Sequence, residues 1–290
     1  MSRVNVWRGL FFASAIFLVI SIVAILAMIG RQALALFTQV KPLAFLCGRV
    51  WAPEHGLYGV LPFLVGSLAV TALALLIGAP LGLAGAIYLA KMATPRAQRV
   101  MRPVIELLAG IPSVVYGWVG LTALVPFIRR HSGHVTGFGL LAAGIVLAVM
   151  ILPTFISLAE DALRSLPESI EHASLALGTT RWQTIAHVLL PAAGPGITAA
   201  GILSLARAIG ETMAVQMVLG NSPVIPAGLI APASTLTSEI VLEMGSTPQG
   251  SPANNALFAM GLLLLLISLG LIVAVRATRR EATAFVRKTR

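Results

Sequence analysis

The run LFFASAIFLVISIVAILAMI, Leu10 to Ile29, holds no charge in about 20 residues and is bounded by Arg8 and Arg31. A helix rises about 1.5 Å per residue, so a run of this length matches the roughly 30 Å hydrocarbon core of a bilayer. Ala33-Leu34-Ala35 resembles a small-residue cleavage site. The run is longer than the roughly 7–15 residues of a signal-peptide core, which favours an uncleaved anchor.

Working outward, five more apolar runs read as spans: Pro62 to Ala90, Val104 to Phe127, Gly137 to Leu158, Pro195 to Leu219 and Ala256 to Val275. The whole chain of 290 residues is 58% hydrophobic and 10% charged, with a mean hydropathy of +0.94. Soluble domains carry about 25% charged residues, so apolar surface on this scale must face lipid. The fold class expected is an all-α polytopic membrane protein with about six transmembrane helices. The chain reads as one membrane domain, residues 1–290. Its core covers about 60–276, and a cytoplasmic loop covers about 160–194.

The net charge is +10. Arg3, Arg8, Lys91, Arg96, Arg99, Arg102, Arg164, Arg181 and the tail Arg276, Arg279, Arg280, Arg287, Lys288 and Arg290 lie on one side. Arg31, Lys41, Arg49, Arg129 and Arg130 lie on the other. The positive-inside rule makes the first side cytoplasmic and puts both termini there, in a plasma or inner membrane. The basic charge is thereby explained without nucleic acid.

Within the spans, Gly78, Gly82 and Gly85 would let helices approach closely. Pro112 removes a helical hydrogen bond and predicts a kink in the third span. The fifth span carries Arg207 and Glu211, four residues apart and so on one helix face. Charge at mid-membrane costs about 2.5–3.5 kcal/mol on insertion scales, which makes it a functional hypothesis. A guanidinium offers paired donors to a tetrahedral oxyanion. Glu211 can accept from a protonated oxyanion and would repel a fully deprotonated one. The alternative is a structural ion pair. Ala200, Ser204 and Ala208 recur at four-residue spacing and predict a helix packed against other helices.

The polar stretch Ala159 to Gly194 is too long for a simple connection. It contains Glu171-His172-Ala173-Ser174-Leu175-Ala176-Leu177-Gly178 and then Val188-Leu189-Leu190-Pro191. This resembles the coupling loop of ABC importer permeases, with His172 departing from the usual second alanine. The resemblance implies the type I permease fold. It makes Glu171, Ala173, Gly178, Trp182, Leu190 and Pro191 the elements that dock on an ATPase, with Gly178 giving a tight turn between two short helices. No Gly-Lys-Ser/Thr occurs, so the chain lacks the usual phosphate loop. It is not expected to be an enzyme, nor to hold a cofactor: ATP would be bound by a partner.

A closer resemblance rests on Gly110-Ile111-Pro112-Ser113-Val114-Val115-Tyr116-Gly117 and on Arg207-Ala208-Ile209-Gly210-Glu211-Thr212 followed by Met213-Ala214-Val215 and Gly220-Asn221. These are similar to the phosphate-specific ABC permeases, of the PstC rather than the PstA type. The resemblance implies Arg207, Glu211 and Thr212 on a phosphate path. It also implies a second permease (PstA-like), two ATPases (PstB-like) and an extracytoplasmic phosphate-binding protein (PstS-like). Sulfate or molybdate import is one alternative, and a secondary transporter using Arg207 and Glu211 as a relay is another.

The remaining polar residues carry less. His131 and His134 have no acid or thiol close in sequence to complete a metal site with His55. Cys47 is the single cysteine and reads as a small apolar residue. Glu106 sits at the inner edge of the third span. Glu239 and Glu243 lie in an external loop from Gly220 to Asn255, whose conformation the sequence leaves open.

Overall fold

The computed structural model describes residues 2–288 of the backbone, and side chains from Trp7 to Val273 except at Gly9. Arg3 and the basic tail from Arg276 to Arg290 therefore lie outside the described side chains. Helix α1, Ser2–Leu36, is followed by α2, Pro42–Cys47, and a two-stranded ribbon pairing Trp51 with Tyr58. Helix α3, Leu61–Ile87, runs on through a wide π turn at Tyr88–Met92. Among the described residues, five helical segments are long and apolar enough to span a membrane, or six if a bent pair counts as one span.

The close pair at the centre is α3 against α7, Leu140–Arg164. A side chain at Gly82 would stand 2.7 Å from Phe155, and one at Gly78 3.1 Å from Ile151. The glycines are there for contact, as expected. Val70, Ala74, Leu147 and Ile151 form the core around them.

The bent pair corrects the third span. Val104 to Phe127 is not one kinked helix. Helix α4, Pro95–Gly110, ends before Ile111, and α5, Ser113–Val119, begins after Pro112. The π turn Gly120–Leu124 and α6, Val125–Ser132, complete a segment lying at 92° to α4. Proline forces the preceding residue toward extended backbone, and Ile111 has φ −66° and ψ 129°. A full break replaces the expected kink. Helix α4 climbs beside the inner half of α7, with Arg102 at Glu160 and Ile111 sharing an apolar groove with Val149.

Two short helices follow, α8 at Glu168–Ala176 and α9 at Arg181–Thr184. A π turn at Ile185–Leu189 leads into α10, Leu190–Ile209. Ala200, Ser204 and Ala208 are buried, as their spacing predicts. The expected fifth span, Pro195 to Leu219, is also broken: α10 stops at Gly210, and α11, Met213–Leu219, starts afresh.

The segment from Gly220 to Asn255 folds back into the bundle at the end where α3 begins. Ala233 to Glu239 are buried, and α12, Leu236–Glu243, begins with its first amide bonded to Ser67 Oγ of α3 at 3.0 Å. Helix α13, Pro252–Lys288, packs on α1 and α10.

Candidate translocation site and coupling surface

Two stretches far apart in sequence meet at the broken spans. A side chain at Gly117 would lie 2.8 Å from Met217 Sδ and 2.9 Å from Ala214 Cα, so α5 lies flush on α11. Tyr116, one residue earlier, donates to Leu108 O across the elbow at 2.7 Å.

Arg207 sits in the last turn of α10 and is exposed on this chain, although α7 beside it is at mid-span. Its Nη1 donates to Thr154 Oγ1 at 2.7 Å. Below Thr154, Ser157, Asp161 and Arg164 recur at helical spacing on an exposed face of α7. A charged side chain at this depth cannot face hydrocarbon, so this face lines either water or another subunit.

The expected pairing of Arg207 with Glu211 is not found. Gly210 ends the helix between them, and no ion pair to Arg207 occurs among the described side chains. Glu211 Oε1 instead accepts from Ala214 N at 3.2 Å, satisfying an otherwise unpaired amide at the start of α11. Thr212 is the residue before α11, and its hydroxyl reaches back to Gly210 O at 3.5 Å. Thr237 of α12 donates to the Glu211 carbonyl at 3.0 Å, tying the external loop to this break. Sequence spacing alone assumed an unbroken helix and so misplaced the glutamate.

At the other end of the bundle, Gly178 has φ +82° with open space where a side chain would stand. It is needed for its backbone conformation rather than for room. The hydroxyls of Ser174, Thr179 and Thr184 close a triangle, with separations of 2.9, 3.1 and 2.9 Å, that pins α8 against α9. Glu171 Oε2 pairs with Lys91 Nζ at 2.7 Å. Ala173 and Pro191 are exposed, and Leu190 is half-buried.

Trp182 and Leu177 project apolar surface into water, Leu177 at 85% exposure. Leucine and tryptophan left exposed on either side of this turn make it a candidate docking surface. His172, Lys91 and Trp182 line a groove of about 520 Å³ beside them. Leu177 and Lys91 were missed by the sequence reading. Leu177 stands immediately before the turn glycine, and that position was its available signal.

Residues 78–282 match the family model described as the binding-protein-dependent transport system inner membrane component. A Bacillus subtilis protein described as a probable ABC transporter permease, YqgH, is 50% identical over 275 residues, covering 93% of this chain and 89% of that one. The phosphate transport system permease PstC of Mesorhizobium japonicum is 32% identical over 278 residues, covering 87% of this chain and 84% of that one. Among solved structures, a bacterial alginate ABC transporter superposes with a TM-score of 0.66 at 16% identity, over 96% of this chain and 97% of that one. The inward-facing MetNI methionine transporter gives 0.59 at 24% identity, over 79% and 99%. Those two likenesses are of fold. The chain belongs to the family of binding-protein-dependent inner membrane transport components, and it is a membrane-embedded permease subunit of an ABC importer rather than a catalytic subunit.

Proposed function

We propose that this subunit passes inorganic phosphate inward, with Arg207 as the anion contact and Glu211 and Thr212 beside it. The observation that carries this is Arg207 itself: an exposed guanidinium at mid-span, bonded to a neutral hydroxyl and, among the described side chains, paired with no carboxylate. Such a group attracts an oxyanion while Thr154 fixes its direction. The motif around Arg207 and the PstC relatives at 31–35% identity support phosphate as the anion. The site would bind weakly, because a tight site would trap its cargo.

Glu171, Ala173, Gly178, Trp182, Leu190 and Pro191 would receive the motion of two PstB-like ATPases. A PstA-like permease would complete the path, and a PstS-like binding protein would deliver phosphate from outside. ATP would bind the ATPases, and no cofactor is assigned to this chain. Both termini would be cytoplasmic, and residues 1–290 would act as one domain.

A second reading, import of a fully deprotonated oxyanion such as sulfate, is favoured by one observation. Glu211 is drawn toward the Ala214 amide, and this lowers its repulsion of a dianion at Arg207. ATP hydrolysis by the whole complex in lipid vesicles separates the two. The binding protein is loaded with phosphate or with sulfate, in wild type and in Arg207→Ala. Stimulation by phosphate alone, lost in Arg207→Ala, is the expected result. Stimulation by sulfate alone selects the second reading, and an unaffected Arg207→Ala removes the anion role.

A further inference from the structure

A chain of polar contacts runs from α8 to the middle of α4, the helix that ends at the Ile111–Pro112 elbow. It begins at Glu171 of α8, whose carboxylate holds Lys91 Nζ at 2.7 Å. Lys91 lies in the π turn that closes α3. In that turn Ala93 N bonds to Tyr88 O at 2.7 Å, one residue further back than in an α-helix. The Leu89 carbonyl is thereby released from its helical donor. Two side chains take it: Arg164 Nη2 of α7 at 3.1 Å and Gln98 Nε2 of α4 at 3.2 Å. Arg164 Nε then donates to Glu160 Oε1 at 2.8 Å, and Arg102 Nη2 of α4 donates to the same oxygen at 2.5 Å.

Glu160 is buried, its side chain 7% exposed, and two guanidiniums compensate it. A buried charge holds its partners because separation would leave it unpaired in a poorly polarisable interior. Lys91 is likewise 13% exposed. The contacts therefore resist stretching. Helix α4, in contrast, has few anchors: none of its residues is buried. At its far end, Ile111–Pro112 interrupts the helical hydrogen bonds. A helix held at Gln98 and Arg102, in its first half, and interrupted at Ile111–Pro112 turns about that interruption when the held half is pulled. The hinge adjoins Tyr116 on α5, which lies flush on α11, the helix that follows the break after Arg207.

We propose that Lys91–Glu171 and Arg102–Glu160–Arg164, joined through the Leu89 carbonyl, form a strap that converts displacement of α8 and α9 into rotation of α4 about its elbow. This rests on the reading of α8–α9 as the ATPase dock. It assigns Lys91, Arg102, Glu160 and Arg164 as positioning residues, which act on the path through α4 and touch no cargo.

The test uses the whole complex and no cargo. Leu107, 72% exposed on α4, is replaced as Leu107→Cys in a Cys47→Ser background, and its alkylation by a water-soluble maleimide is followed by mass spectrometry. Rates are compared between the nucleotide-free complex and the complex trapped with ATP and vanadate. The expected contrast is at least about fivefold, the lower end of ordinary coupling between sites. It disappears in Arg102→Met and in Lys91→Glu, and Lys91→Glu combined with Glu171→Lys restores it. If Arg102→Met does not assemble, Glu160→Gln replaces it under the same criterion. The proposal is overturned by a contrast absent in wild type, by one retained in either variant, or by failure of the charge swap to restore it. The docking reading is judged separately, by whether the ATPase still co-purifies with Trp182→Glu.

Discussion

Arg207 Nη1 and Thr154 Oγ1 lie 2.7 Å apart, joining the last turn of α10 to the middle of α7 across the face that this chain leaves open. The bond sets the direction of a guanidinium that has few other constraints. Removing the acceptor leaves the charge in place but frees the side chain. If phosphate is the cargo, as proposed, Thr154→Val should therefore reduce its uptake into vesicles by roughly tenfold, in keeping with about 1.5–3 kcal/mol for a hydrogen bond to a charged group. Arg207→Ala should reduce it further. Equal uptake in Thr154→Val and wild type would show that the orientation of Arg207 is immaterial.

Gly178 carries a different prediction. Its φ of +82° costs an L-residue about 1–2 kcal/mol, while the space around it is open. Gly178→Ala should fold and insert, yet misdirect α9 relative to α8. The measurable result is weaker ATPase co-purification, with unchanged yield of the permease. Gly178→Asn, which tolerates the left-handed region better, should lose less. If alanine and asparagine behave alike, the conformation of this turn does not control docking.

Much of this architecture is legible in sequence because the bilayer enforces it. An apolar run of about 20 residues has few other fates, and the glycines of α3 announced close contact that Phe155 and Ile151 confirm. Where the sequence reading failed, it treated long apolar runs as continuous helices. Gly210 and Ile111–Pro112 break two of them, and only the surrounding packing decides whether such residues bend a helix or end it. The Arg207–Glu211 spacing inherited that error. Lys91–Glu171 joins residues 80 apart and left no periodic trace.

Gly82 tests the packing of α3 on α7 directly. A methyl group there would stand 2.7 Å from Phe155 Cδ1, inside van der Waals contact. Gly82→Ala should destabilise the permease by about 1–3 kcal/mol, the usual range for overpacking. That loss reads out as a lower melting temperature in detergent. Phe155→Leu should recover part of it when combined with Gly82→Ala. Two independent, additive losses would mean that the two residues do not share the contact.

Glu239 should make the segment between α11 and α13 sensitive to pH. It lies outside the spanning helices, on α12, and is 4% exposed. Burial first, and then repulsion from Glu243, push its carboxyl up to about 7 from an ordinary 4.5. Glu243 itself accepts from Trp51 Nε1 with both oxygens at 3.2 Å, so the neighbouring charge is fixed in place. The folded state then holds this proton more tightly than the unfolded chain does. Between about pH 4.5 and 7 the folded protein binds more protons, so stability falls as pH rises through that window and levels off above it. Melting temperatures of the purified complex in detergent, taken from pH 5 to 8, should decline along this course in wild type. Glu239→Gln keeps the shape of the side chain and cannot ionise, so its melting temperature should follow a flatter course and exceed that of wild type at pH 8. Parallel curves for the two proteins would place the titrating group elsewhere and leave Glu239 a buried acid without a role in the pH response.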